Sequence, residues 1–325
     1  MQQKVFVSRA LPGDALRRAA ELVAVDIWPE ATPPPPEVLR EKARDKDGLL
    51  VLLTDPVDER LLAEAPSLKV VSNYAVGFDN VDVAACTARG IPVGNTPDVL
   101  TETTADLTFA LLMAAARRIV EGVEVSRRGA FKAWSPTLLL GQDVHGATLG
   151  IVGMGRIGRA VAKRATGFGM KVLFTAGSTP PAVEINGARQ TDFETLIAAS
   201  DFVSLHVPLT EETRGLIDRT VFDQMKPSAI LINTARGPVV DQDALLDALT
   251  THTIAAAALD VTTPEPLPSG HPLFALDNCL IVPHLGSASF ATRSKMAEMA
   301  VDNLLAGLAG RPLPHCVNKE VRKPD

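Results

Sequence analysis

Thr148-Leu149-Gly150-Ile151-Val152-Gly153-Met154-Gly155-Arg156-Ile157-Gly158 runs from a short apolar segment into a Gly-x-Gly-x-x-Gly turn. The segment from Arg159 to Phe168 then continues with helical spacing. A glycine turn of this kind is a weak signal alone and a specific one between a strand and a helix. Gly153 permits a tight turn, Gly155 lets the backbone approach a pyrophosphate, and Gly158 lets helix and strand pack closely. Arg156 and Ile157 complete the turn. The free N–H groups and positive dipole end of the helix would face the phosphates of a dinucleotide.

The next strand, Lys171 to Thr175, ends in Ala176-Gly177-Ser178-Thr179. A site that prefers NAD usually places an acid about 20 residues beyond the turn, on the ribose 2′-hydroxyl. Here no acid occurs between Gly158 and Glu184. Ser178 and Thr179 would admit and hydrogen-bond a 2′-phosphate. The expected coenzyme is NADPH, with NADH as an alternative.

Working outward, six strand-like runs follow one another from Thr148: 148–152, 171–175, 202–207, 229–233, 254–261 and 279–282. Helical segments lie between most of them, as a doubly wound parallel sheet requires. Before the turn, Lys4-Val5-Phe6-Val7, Gly48 to Leu53 and Leu68 to Val71 read as buried strands, alternating with helices at 14–22 and 37–44. A long helix starts near Thr101 and runs to Ala116; a last helix spans 291–308. The expected fold is α/β, with two doubly wound parallel-sheet domains. A Rossmann-like cofactor domain (101–284) is inserted into a flavodoxin-like substrate domain (1–100 and 285–325).

Composition narrows the function. The formal charge is −6, from 32 Lys+Arg against 38 Asp+Glu, so no basic footprint for nucleic acid or an anionic membrane is present. The most apolar helical stretch, Leu107 to Ala116, is too short to cross a bilayer. Cys86, Cys279 and Cys316 are far apart, with no metal spacing, and their odd number argues against a disulfide framework. The first residues lead straight into a strand without an apolar signal core. A cytoplasmic enzyme without a metal is expected.

Three reactive groups follow the late strands: Arg236 in Asn233-Thr234-Ala235-Arg236-Gly237, Glu265 in Thr263-Pro264-Glu265-Pro266, and His284 in Pro283-His284-Leu285-Gly286-Ser287. Ligands of open α/β sheets bind beyond the carboxyl ends of the strands, so the three can converge. Taken singly, each has a plainer reading as a surface ion pair or a loop residue. Together they match what hydride transfer to a ketone needs. A planar guanidinium holds a carboxylate through two bonds. An imidazole donates a proton near neutral pH. A carboxylate beside it orients that imidazole.

Over essentially its whole length the chain resembles the D-2-hydroxyacid dehydrogenase family. The resemblance is carried by LINTARGPVVD (231–241), LDVTTPEPLP and VPHLGSAS. Within the family it looks most like the glyoxylate/hydroxypyruvate reductases, through VTTPEPLPSGHPLF, VLTETTADLTFALLMAAARR and WSPTLLLG. The resemblance implies reduction of glyoxylate to glycolate and of hydroxypyruvate to D-glycerate. It assigns Arg236 to the substrate carboxylate, His284 to proton donation and Glu265 to His284. It also assigns the backbone N–H groups of Val76 and Gly77 to the carboxylate, Asp260 to the nicotinamide carboxamide, and Thr104 to a place near the coenzyme phosphates. Thr234 and Ser287 fall in coenzyme-binding segments. Trp134 would lie on a dimer arm that reaches the neighbouring subunit's site, with the apolar helix at 107–116 as an intersubunit face of a homodimer. Relatives that use NADPH often carry an Arg where this chain has Gly177-Ser178. Rival readings are a D-lactate or D-3-phosphoglycerate dehydrogenase, or a dinucleotide-sensing, corepressor-like scaffold.

Overall fold

A computed structural model describes residues 2–175 and 187–321. The chain divides into two units, Met1–Leu100 with Ala288–Asp325, and Thr101–Ser287. Each is built on a wholly parallel sheet.

The first unit contains β1 (Lys4–Val7), α1 (Ala15–Ala20), β2 (Ala24–Ile27), α2 (Pro36–Ala43), β3 (Gly48–Val51), α3 (Glu59–Glu64), β4 (Val70–Asn73), α4 (Val83–Ala88) and β5 (Val93–Gly94). The strand order is β2-β1-β3-β4-β5, the flavodoxin-like winding. β3 and β4 are buried at every position, as central parallel strands covered on both faces must be. β4 starts at Val70, not at Leu68 as the apolar run suggests. Leu68 N–H closes a turn onto Ala65 O.

The second unit opens with α5 (Thr101–Ala116) and α6 (Ile119–Arg127). There follow β6 (Thr148–Val152), α7 (Arg156–Thr166), β7 (Lys171–Thr175), β8 (Arg189–Gln190), α8 (Phe193–Ala199) and β9 (Phe202–Leu205). The unit closes with α9 (Arg219–Gln224), β10 (Ile230–Asn233), α10 (Gln242–Thr250), β11 (Ala256–Leu259) and β12 (Cys279–Ile281), before α11 (Phe290–Leu308) returns to the first unit. The order is β12-β11-β10-β9-β6-β7-β8. The winding reverses between β6 and β9, which opens a crevice beyond their carboxyl ends.

α5 packs one face into its own unit. Phe109, Leu111, Leu112 and Ala116 are buried in the core of the second unit. Phe109 stacks on Phe168 at 5.4 Å, and Arg164 of α7 pairs with Asp106 at 2.6 Å. This face of the helix therefore belongs to the core of its own unit, while Leu107, Ala110, Met113, Ala114 and Ala115 stay partly exposed. Burial of an aromatic or leucine side chain stabilises by roughly 1.5–3 kcal/mol, so Phe109, Leu111 and Leu112 hold this helix to its own unit. The next helix, α6, does expose apolar residues, with Ile119 49%, Val120 44% and Val123 41% exposed. Arg118, in left-handed backbone at φ 51°, separates the two helices.

Candidate active site

The glycine turn leaves β6 at Gly153, whose φ of +101° only glycine adopts readily. A Cβ there would lie 2.7 Å from the carbonyl oxygen of His206, and one at Gly158 would lie 2.2 Å from that of Gly153. These two glycines are required by the fold itself. Gly155 is different: it caps α7, is exposed, and a Cβ there would meet no protein atom within 4 Å. That open room lies at the start of an 11-residue helix with no acid in its first turn. Arg156 is exposed and Ile157 half-buried beside it. The arrangement suits the pyrophosphate of a dinucleotide. Ser178 and Thr179 lie outside the described residues.

β9 ends beside this turn, and His206 follows it. His206 Nε2 lies 2.8 Å from Ser204 Oγ. Loss of solvent around the partly buried ring pushes its pKa down to about 3, so it is neutral.

Arg236 stands on a turn after β10. The buried Asn233 builds that turn: its Oδ1 accepts Ala235 N–H at 3.0 Å and its Nδ2 donates to Arg236 O at 2.9 Å. Side-chain bonds of this type favour turns over continued strand. The half-buried Arg236 donates through Nη1 to Ala235 O at 2.8 Å. Gly237 follows because a Cβ would strike Thr262 O at 2.0 Å.

His284 and Glu265 meet. His284 Nδ1 lies 2.6 Å from Glu265 Oε1, with their side chains 26% and 31% exposed. A proton on Nδ1 donated to the carboxylate leaves Nε2 as the atom that faces chemistry. His284 has φ 52°, a left-handed conformation that costs a non-glycine residue of order 1–3 kcal/mol. Asp260 holds it there. His284 N–H donates to Asp260 O at 3.0 Å. The Asp260 carboxylate accepts Leu285 N–H at 2.5 Å and Gly286 N–H at 2.9 Å. Burial raises the pKa of Asp260, against the pull of those two donors. Asp260 therefore supports the His284 loop with both carboxylate oxygens, a role the sequence reading missed.

The remaining residues follow from α5 and the first unit. Thr104 Oγ1 donates to Gly286 O at 3.1 Å, and Ser287, half-buried, comes next in that loop. Thr108 Oγ1 donates to Thr104 O at 2.9 Å and so accepts from Thr234 Oγ1 at 3.0 Å. These three buried hydroxyls link the Arg236 turn to the His284 loop. The buried Thr108 was missed, although threonines four apart in an apolar helix were the available signal. In the first unit, the carbonyls of Val76 and Gly77 accept from Asn95 Nδ2 at 2.8 Å and Asn73 Nδ2 at 2.9 Å. Trp134 is 80% exposed.

Comparison with known proteins agrees with this geometry. Residues 109–286 match the model of the D-isomer specific 2-hydroxyacid dehydrogenase, NAD binding domain. The chain is 51% identical over 325 residues to a glyoxylate reductase of Korarchaeum cryptofilum, covering 99% of this chain and 98% of that protein. It is 48% identical over 326 residues to a glyoxylate reductase of Thermococcus litoralis, with the same two coverages, 99% and 98%. A solved Thermus thermophilus protein superposes with a TM-score of 0.92 at 50% identity, over 97% of this chain and 100% of that one. An NADPH-dependent glyoxylate/hydroxypyruvate reductase of Sinorhizobium meliloti, solved with NADP and malonate, superposes with a TM-score of 0.88 at 31% identity, over 100% and 99%. Two parallel α/β sheets, a glycine turn at the switch of winding and identity along the full chain agree: the protein belongs to the D-isomer specific 2-hydroxyacid dehydrogenase family.

Proposed function

We propose that this dehydrogenase reduces glyoxylate to glycolate and hydroxypyruvate to D-glycerate, with NADPH preferred over NADH. The observation that carries the reading is the 2.6 Å contact of Glu265 with His284 Nδ1, on loops beside the strand that bears Arg236. The names of the relatives support the substrate class. Gly155 and the start of α7 would take the coenzyme pyrophosphate, with Thr104 near the phosphates, Asp260 toward the nicotinamide carboxamide, and Thr234 and Ser287 in the segments that line the coenzyme. When bound, the dihydronicotinamide supplies a hydride. The chain's own residues do the rest. The guanidinium of Arg236 binds the substrate carboxylate and fixes the direction of the C2 carbonyl. His284 Nε2 gives its proton to the oxygen at C2 as that carbon becomes an alcohol. Glu265 keeps Nδ1 protonated and the ring oriented throughout.

NADPH preference rests on the missing acid between Gly158 and Glu184. The exposed apolar face of α6 and the exposed Trp134 support a homodimer that buries them; a cytoplasmic location completes the proposal. The test is kcat/KM for glyoxylate, hydroxypyruvate, pyruvate and phenylpyruvate with both coenzymes. The first two substrates with NADPH should rank highest. Dominance of pyruvate would make the protein a D-lactate dehydrogenase. Tight coenzyme binding without turnover of any 2-oxoacid would make it a sensor.

A further inference from the structure

A carboxylate that orients an imidazole must itself be oriented. Glu265 lies between Pro264 and Pro266, and neither proline has an N–H with which to tie the loop down. The loop is anchored at Thr263, two residues before Glu265. Thr263 N–H donates to Gln242 Oε1 at 2.9 Å, and Gln242 Nε2 donates back to Thr263 O at 2.5 Å. Only one orientation of the amide satisfies both bonds, so the side chain grips this residue at two points.

The grip has a rigid base. Gln242 is the first residue of α10, whose cap Asp241 accepts Asp243 N–H and Ala244 N–H at 3.1 and 3.0 Å. On the other side, Thr262 Oγ1 donates to Pro264 O at 2.8 Å and closes the turn into Glu265. The Thr262 carbonyl is also the group that Gly237 packs against. The Arg236 turn and the Glu265 loop therefore share one joint, and the Gln242 amide holds it. His271 Nδ1 accepts Leu273 N–H at 3.3 Å, and its Nε2 lies 3.5 Å from the Gln242 amide nitrogen, much farther than the 2.5 Å from that nitrogen to Thr263 O.

We propose that Gln242 is a positioning residue for proton transfer: its two-point grip on Thr263 sets the direction from which the Glu265 carboxylate reaches His284 Nδ1. The inference rests on the proton-transfer reading of that pair. Gln242→Met keeps the side-chain length and removes both bonds. In the coenzyme-free protein, the His284 Nδ1 proton held by Glu265 should give a low-field NMR line, and Gln242→Met should shift or broaden it. kcat for glyoxylate should fall by roughly 10- to 100-fold, with KM within about twofold. In a Glu265→Gln background the same substitution should cost less than about twofold, because the group it positions is gone. An unchanged NMR line, or an equal loss in both backgrounds, overturns the proposal. Gln242→Glu is the second variant. An acid suits the start of a helix, so the fold is kept, but an oxygen now faces the Thr263 carbonyl. Wild-type kcat and an unmoved line in Gln242→Glu would equally overturn it. If Glu265→Gln alone leaves kcat unchanged, the proton-transfer reading fails, while the His284 line still reports on the grip.

Discussion

A guanidinium binds a carboxylate through two parallel N–H bonds, and an ammonium cannot. Arg236→Lys keeps the charge and loses the fork, so kcat/KM for glyoxylate should fall by about 10²–10³-fold; an unchanged value would remove Arg236 from the substrate. His206 makes a prediction about stability. Its ring is neutral in the fold to about pH 3, against an ordinary value of 6.5. Between those values the unfolded chain binds a proton that the folded chain does not. Stability is therefore complete above pH 6.5 and falls as the pH drops below it. His206→Gln should remove this loss, roughly 1–2 kcal/mol at pH 5. Urea midpoints at pH 7 and pH 5 check it: equal acid sensitivity in both proteins would contradict a buried neutral ring. At this scale the sequence shows residue types and chain order, so Arg236, Glu265 and His284 stand out together. It does not show which carboxylate supports which loop. Asp260 reads as a group facing the coenzyme and is found clasping two backbone N–H groups, because burial and loop direction come from tertiary structure.

The glycine turn separates fold from function within one element. Gly158→Ala pushes a methyl into the Gly153 carbonyl and should destabilise by about 1–3 kcal/mol. Gly155→Ala meets no protein atom, so stability should stay within about 0.5 kcal/mol. Its methyl takes the room of a phosphate, and the Kd for NADPH should rise tenfold or more. Calorimetry of unfolding and of NADPH binding tests both. A Gly155→Ala protein that binds NADPH normally would move the coenzyme elsewhere. The central strands were legible because buried parallel strands are continuous apolar runs. β2, β5 and β8 were not, and all three are edges. β5 and β8 are two residues long, and β2 is half-exposed. Such pieces pair because a neighbour is already in place, and their own pattern does not announce it. α5 was legible as a helix, but composition does not say how much of its apolar face the same chain covers; Phe109, Leu111, Leu112 and Ala116 are buried within its own unit.

For the molecule as a whole, one run of exposed apolar residues is on α6 and the segment after it, with Ile119, Val120, Val123, Phe131, Trp134, Leu138 and Leu140 all exposed. Val123→Glu alters a residue exposed in the single chain, so the fold should survive. If the proposed homodimer forms through this face, the wild type should sediment as a dimer and the variant as a monomer; a dimer of unchanged mass would place the subunit contact elsewhere. The central claim is that His284, held by Glu265, delivers the proton. The most direct test is kcat/KM for glyoxylate-dependent NADPH oxidation by His284→Gln, measured beside its Kd for NADPH. The account predicts a fall of about 10²–10⁴-fold with coenzyme affinity within about threefold. A His284→Gln protein that binds NADPH normally and turns over glyoxylate at the wild-type rate would contradict it.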